Sequence, residues 1–417
     1  MGLVLSHQSA IDIYRSPLLI TACPYFNLER PGPSTTPRHP VSLDRCSAPK
    51  KSDLALLGNA FPNLSPRPIH ATVTQQNKRR TYDGLICHVN SSKGTALPLD
   101  VAALLQPDKR NKILNAVSGV EAQSSSLPRH SLYVVTPELA FIQAAEFFDL
   151  IDLILFGYEL CGTYSTSIAP PRTSRTLGKD LRDSSTSDSD ALGSNPLDSI
   201  AFDSGAIDSR ILDSSPFGSD SFGSDTFIHR PFTNTAKISR FIEAVSQGHR
   251  RRSAHIQKAE KALGSVLDNS ASPRESILAL MLTAERSKGG YALPMPILNQ
   301  KIPINRSARH LFSHSYYRCD LFWPDANLAV EYDSDKFHSG VEKISQDSSR
   351  RGALNLLGID VITVTNRQIS HVSEMDRVAR SIAKKLNCRI RAERRYDYPN
   401  RKLTLQNRLL DYGSTRA

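Results

Sequence analysis

Between Asp180 and Asp225 the chain carries ten Asp, no Glu and two basic residues, Arg182 and Arg210, with Ser and Gly filling much of the space between. So polar a stretch buries too little apolar surface to offset the entropy of ordering it, and no core can run through it. It predicts a break that divides the 417-residue chain into two folded parts. The expected plan is an N-terminal domain at 1–170, a disordered Asp/Ser-rich linker at 171–235, a second domain at 236–395 and a basic flexible tail at 396–417.

The same segment skews the charge. Its local net is −8, which leaves +19 on the other residues of a chain whose total is +11 and whose pI is about 9.4. A strongly basic folded part invites a polyanionic partner, and nucleic acid is the natural one. The basic residues concentrate twice. Lys237 to Gly264 reads as helix and carries His249-Arg250-Arg251-Arg252. Near the C-terminus, Lys384, Lys385, Arg389, Arg391, Arg394, Arg395, Arg401 and Lys402 are interleaved with Tyr396 and Tyr398, which offers phosphate contacts and rings for base stacking. A solvated basic face is the competing reading of both.

The chemistry-bearing motif lies between the two basic regions. Tyr317-Arg318-Cys319-Asp320-Leu321-Phe322-Trp323 and Leu328-Ala329-Val330-Glu331-Tyr332-Asp333 are strand-like runs joined by Pro324-Asp325-Ala326-Asn327, which is turn chemistry. The period of two sets Glu331 and Asp333 on one face and Val330 and Tyr332 on the other. A hairpin then brings Asp320 near Glu331. Two or three converging carboxylates suit a hard divalent cation such as Mg²⁺ or Mn²⁺. Gln346 to Leu357 reads as helix, Gly358 as its terminator, Ile359 to Thr365 as a buried strand and Met375 to Leu386 as an amphipathic helix.

This strand, turn, strand, helix, strand order, with its acids, resembles the PD-(D/E)xK nuclease superfamily. The nearest branch is that of very-short-patch-repair endonucleases and domain-of-unknown-function family 559, matched from about Ser272 to Thr365. The resemblance implies a restriction-endonuclease-like α/β domain, a mixed sheet flanked by helices, behind an N-terminal domain whose mixed fold the sequence does not specify. It implies that Asp320 and Glu331 hold the metal and that Glu275 is the upstream helical acid. Asp333 lies in the acidic element, and His338, followed at the family's spacing, accepts a proton from the attacking water. Lys336, Arg350 and Arg351 would contact the nucleic acid. Asp347, Arg350, Leu354 and Gly358 resemble the family's Asp-x-x-Arg helix and Gly turn. Two positions depart from the pattern: Asp333 stands where the (D/E)xK element has Lys, and Ser334 where the family has Gly.

Several of these residues have a purely structural reading. Ser272-Pro273-Arg274-Glu275 fits a capping box, with Ser at the N-cap, Pro at N1 and Glu reaching back from N3. Asp333 fits a solvated strand edge, His338 a loop histidine, and Asp347 with Arg350 a helix-start acid and its neighbour one turn on. The functional expectation is a metal-dependent DNA endonuclease. The alternative is an inactive nuclease-fold regulator that binds DNA, an antitoxin-like component with an operon partner. The N-terminal-region-plus-nuclease plan is similar to proteins related to the abortive-infection antitoxin family, though no residue is carried over.

Thr136-Pro137-Glu138 followed by Leu139 to Leu160 reads as a capped helix or helix pair. Glu146, Asp149, Asp152 and Glu159 interrupt it and argue against a membrane span. The six Cys are dispersed with no Cys-x-x-Cys pair, which suggests neither a disulfide framework nor a zinc site. Met1 to Ser6 fits an N-myristoylation pattern formally, and no signal-peptide cleavage region follows. A reducing cytoplasm is the expected compartment.

Overall fold

The computed structural model describes residues 3–23, 25, 26, 40–45, 47–61, 68–90, 94–99, 132–166, 226–247, 253–304, 316–333, 352, 354–390 and 397–414. Of the linker expected at 171–235, residues 171–225 lie outside the described residues, as do His249–Arg252 and residues 346–351 of the helix expected at 346–357. The end of the expected linker is corrected, since Thr226–Ile228 forms a strand and a helix begins at Thr235.

The chain opens with β1 (Leu3–Leu5), α1 (His7–Tyr14) and α2 (Leu18–Ala22), then β2 (Val41–Ser42), α3 (Lys51–Ala60), β3 (Ile69–Val73), β4 (Leu85–Val89), β5 (Thr95–Leu99) and β6 (Leu132–Val135). These strands form one mixed six-stranded sheet in the order β2-β5-β6-β1-β3-β4. β1 and β6 are buried along their whole length, as uniformly apolar central strands must be. Two helices follow, α4 (Pro137–Ala144) and α5 (Leu150–Cys161). The expected helix pair is therefore present, broken where Asp149 caps α5 by accepting from the Asp152 N–H.

After β7 (Tyr164–Thr166), β8 (Thr226–Ile228) pairs with it antiparallel, and α6 (Thr235–Ser246) and α7 (Ala254–Leu263) follow. The expected domain start at 236 is not where the core divides. Ile238, Ile242, Ala259, Ala262 and Val266 are buried, and a Cβ on Gly157 of α5 would lie 2.6 Å from Val266, so these helices pack closely on the N-terminal ones. Phe232 stacks edge-on against Tyr14 at 5.3 Å, and Lys258 Nζ donates to the Phe148 carbonyl at 3.0 Å.

The second sheet comprises β9 (Ile297–Pro303), β10 (Tyr316–Trp323), β11 (Leu328–Asp333) and β12 (Asp360–Thr365), with α8 (Pro273–Thr283) before it and α9 (Asn366–Ser370) and α10 (Val372–Lys385) after it. Its order is β12-β11-β10-β9; β12 and β11 are parallel and the other pairs antiparallel. The proposed hairpin is present. Pro324–Ala326 forms a short 3₁₀ turn, and Asn327 closes it in the left-handed region at φ +45°. Met375, Val378, Ala379, Ile382 and Ala383 form the buried stripe of α10, at the spacing of one helix face.

Both sheets share one core. A continuous cluster of buried apolar side chains runs from Leu3 to Tyr412 and takes in Leu321, Trp323, Leu328, Val330 and Val364 of the second sheet. Leu354 and Ile359 pack with Tyr317, Cys319, Phe322 and Ala329 in a smaller cluster.

The expected flexible tail is corrected as well. Residues 398–414 form helix α11 (Tyr398–Ser414), and Tyr398, Leu405, Leu409 and Tyr412 are buried. Two of the cations proposed to meet nucleic acid serve the fold instead. Arg401 pairs with Asp397, while Lys402 pairs with Asp376 and lies 4.8 and 5.1 Å over the rings of Tyr398 and Tyr291. Tyr398 is no free stacking platform, since its hydroxyl donates to the Gly290 carbonyl at 2.9 Å.

Candidate active site

Asp320 sits on β10 and Glu331 on β11. The pairs Leu321 with Val330 and Phe322 with Ala329 set an antiparallel register that, continued by one residue, places Asp320 opposite Glu331. The bond that fixes Asp320 goes to the next residue: the Tyr332 N–H donates to Asp320 Oδ2 at 2.8 Å. Glu331 is half-buried, with Oε1 shielded from solvent, and Asp333 is exposed at the strand end.

The strand geometry is irregular at this point. Tyr317 and Cys319 pack with Phe322, whereas Leu321 and Trp323 face the main core, so the alternation slips by one across Asp320. On β9, Gln300 pairs with Cys319 and Leu298 with Leu321, but the position between them, Asn299 opposite Asp320, is skipped and holds φ +51°. Such local twists re-aim a side chain out of the sheet pattern. Here the re-aimed group is the Asn299 amide, whose Nδ2 donates to Glu275 Oε2 at 2.6 Å.

Glu275 is the third acid and arrives from α8. Ser272 caps that helix as expected, accepting the Glu275 N–H at 3.2 Å. The reciprocal half of the capping box differs, because Glu275 Oε2 accepts from the Ala271 N–H at 2.9 Å, one residue upstream of the cap. Capping and proximity to Asp320 therefore coexist in one carboxyl group. Burial, then the negative charge of Asp320, push Glu275 up to about 8, even though the Ala271 and Asn299 hydrogen bonds pull the other way.

Burial and the Asp320 charge thus both favour the protonated form of Glu275, with Glu331 one strand on. Among the described residues, no three His, Cys, Asp or Glu side chains converge as a group able to hold a metal ion. The donors still fit a hard cation of the Mg²⁺ kind, which takes one or two carboxylates and completes its shell with carbonyls, waters or substrate phosphate. A positive ion would also relieve the acid-on-acid repulsion that raises Glu275.

The structure thus sets Asp320 opposite Glu331 in the strand register, with Glu275 within electrostatic reach of Asp320, and places Asp333 at the exposed end of β11. His338, Lys336, Arg350 and Arg351 lie outside the described residues. Sequence reasoning missed Asn299. Its one signal is an Asn in the middle of the strand Ile297–Pro303, since Asn tolerates positive φ better than most residues.

No family model matches this chain, and no solved structure does either. Two curated proteins of Mycobacterium tuberculosis are similar to it: "Uncharacterized protein MT2308" of strain CDC 1551 and "Uncharacterized protein Rv2248" of strain H37Rv. Each is 30% identical over 97 residues, which is 23% of this chain and 32% of the relative's length. Among the described residues no helix is long and apolar enough to cross a membrane.

Proposed function

We propose that the chain is a metal-dependent DNA endonuclease of the PD-(D/E)xK type, with its site at the β10–β11 hairpin and α8. The observation that carries this reading is the register that sets Asp320 opposite Glu331 on one side and Asn299 on the other, with Asn299 bonded to Glu275 of α8. Acids from a helix and two adjacent strands assembled at one strand irregularity suit a site better than a solvated edge.

In this reading Asp320 and Glu331 hold Mg²⁺ or Mn²⁺, helped by the backbone carbonyl beside Glu331. When bound, the cation neutralises developing charge on the scissile phosphate and lowers the pKa of the attacking water. The Tyr332 N–H holds Asp320 to β11, so the two carboxylates are positioned as one unit. Asn299 keeps Glu275 Oε2 in place, which leaves the Glu275 carboxyl poised to hold or release a proton beside Asp320. His338 takes the proton of the attacking water, and Lys336, Arg350 and Arg351 orient the strand.

A second reading is favoured by Asp333, exposed on β11 where the superfamily's catalytic Lys would stand. Without that cation, the fold would serve as a DNA-binding regulator with no metal requirement, bound through salt-sensitive phosphate contacts. One experiment separates the two: nicking and cleavage of supercoiled and single-stranded DNA with Mg²⁺, Mn²⁺ or EDTA, beside Asp320→Ala and His338→Ala. The nuclease reading expects metal-dependent cleavage that Asp320→Ala abolishes. DNA binding indifferent to EDTA, with no cleavage by the parent chain, selects the regulator. Full cleavage by Asp320→Ala removes this site from either account.

A further inference from the structure

A second constellation lies far from the acids in sequence, at the β4 edge of the six-stranded sheet. β3 and β4 are parallel neighbours, with Thr72 opposite His88 and Ile86 opposite His70. Position 88 is therefore level with a residue two along from His70, and both imidazoles leave the same face of the sheet. His70 Nδ1 and His88 Nε2 approach to 3.0 Å. Both residues are half-buried, so solvent reaches the pair.

His7, directly after β1, closes the cluster from below. It holds φ +49°, and its ring stacks on His88 with centroids 3.7 Å apart and planes 18° from parallel. Its own nitrogens face other groups: Nδ1 lies 3.0 Å from Ser6 Oγ and Nε2 lies 3.5 Å from Glu146 Oε2. His7 is thus a floor that fixes the His88 ring, and a ring stacked face to face cannot share a ligand with the one beneath it.

We infer that His70 Nδ1 and His88 Nε2 form a two-nitrogen site for a borderline divalent transition metal, of which Zn²⁺ and Ni²⁺ are the test cases. Two nitrogens each about 2.0–2.1 Å from a tetrahedral metal stand about 3.3 Å apart, so a shift of a few tenths of an ångström admits the ion. Imidazole pairs favour Zn²⁺, Ni²⁺ and Cu²⁺ and bind Mg²⁺ poorly, whereas carboxylates also accept the hard Mg²⁺ ion. The two sites would therefore differ in their response to Mg²⁺, and the inference stands whether or not the chain cleaves DNA. Water would complete the shell around the two nitrogens.

The test is isothermal titration of the full chain with ZnCl₂, and with MgCl₂ as control, for the parent, His70→Ala, His88→Ala and His371→Ala, the last an exposed histidine outside both sites. His70→Ala and His88→Ala should each weaken Zn²⁺ binding by about tenfold or more, with His371→Ala unchanged. Circular dichroism identifies a misfolded variant, and zinc-edge absorption of the parent protein then decides without one: a nitrogen and oxygen shell with two imidazoles supports the site. Zn²⁺ binding in both folded His variants equal to that of the parent, or none in the parent, overturns it and leaves the 3.0 Å contact as an imidazole–imidazole hydrogen bond.

Discussion

Asn299 occupies a left-handed conformation at φ +51° and from it donates to the buried Oε2 of Glu275 at 2.6 Å. Asn299→Ala keeps the unfavourable backbone and removes the donor, so it should destabilise the fold by about 1–3 kcal/mol. Asn299→Gly should cost less, because Gly adopts that φ without strain. Urea unfolding of the pair checks this; equal stability of Asn299→Ala and the parent would deny the bond any role. His229 makes a pH prediction. It is buried, stacks on Phe232 at 4.0 Å, and has Nδ1 2.6 Å from the Arg230 carbonyl and Nε2 2.9 Å from Ser165 Oγ. A neutral ring that donates from Nδ1 and accepts at Nε2 satisfies both contacts. Burial lowers its pKa despite the Arg230 carbonyl, so the folded state takes up its proton at lower pH than the unfolded chain does. That stability is present above the unfolded value, about 6.5, and is lost as pH falls below it. Urea midpoints from about pH 7.5 to about pH 5 should fall more steeply for the parent than for His229→Gln. At this scale the sequence disclosed Asp320 and Glu331 because acids inside apolar strand runs stand out. It hid Asn299, whose role depends on a backbone angle, and His7, His70 and His88, which meet only after β1, β3 and β4 pair.

The hairpin of β10 and β11 was readable because its signals are local: two apolar runs, a Pro-initiated turn, and an Asn suited to the left-handed residue that closes it. Helix α10 was readable for the same reason, its buried stripe repeating at helical spacing. Helix α11 was not, because its basic residues suggested a solvated tail while its apolar ones, Leu405, Leu409 and Tyr412, find partners remote in sequence. Its seat depends on close backbone approach. Gly289 holds φ +95°, and a Cβ there would lie 2.3 Å from the Arg401 carbonyl oxygen. Gly289→Ala therefore forces both a strained φ and a clash with backbone that has no rotamer to yield. We expect it to loosen α11, read as faster amide hydrogen exchange from Leu405 to Tyr412, with the β10–β11 hairpin less affected. Unchanged protection across α11 would show that the helix does not depend on this approach. The same reasoning explains why the basic C-terminal region was misjudged: Arg401 and Lys402 meet Asp397 and Asp376, and composition cannot separate a cation facing water from one facing an aspartate.

Whether the two sheets unfold together depends on how the ends of the chain are tied. Arg15, in the turn after α1, donates from Nε and Nη2 to the two oxygens of Glu159 on α5, at 2.8 and 2.7 Å. Tyr412 of α11 donates to Glu159 Oε1, and its hydroxyl accepts from Arg15 Nη2 at 3.1 Å. Arg15 and Glu159 are 2% and 1% exposed, so neither charge has water to turn to. Burial is the largest single influence and opposes the Arg15 charge, but Glu159, Tyr412 and Asp12 together outweigh it and Arg15 titrates above its ordinary value. Removing one partner should therefore be worse than removing both. Glu159→Leu leaves a buried guanidinium uncompensated and should cost about 3–5 kcal/mol, whereas Arg15→Met with Glu159→Leu should recover much of that loss. Because the apolar core is continuous from Leu3 to Tyr412, the loss should appear in a single calorimetric transition that shifts as a whole. The Asp/Ser-rich segment made a two-part chain the natural expectation, since it does separate two stretches of foldable sequence. It could not show that the ends pack into one core, because the pairing of Arg15 with Glu159 and Tyr412 carries no local pattern. Two separated transitions, with Glu159→Leu moving the earlier one alone, would return the chain to two independent domains.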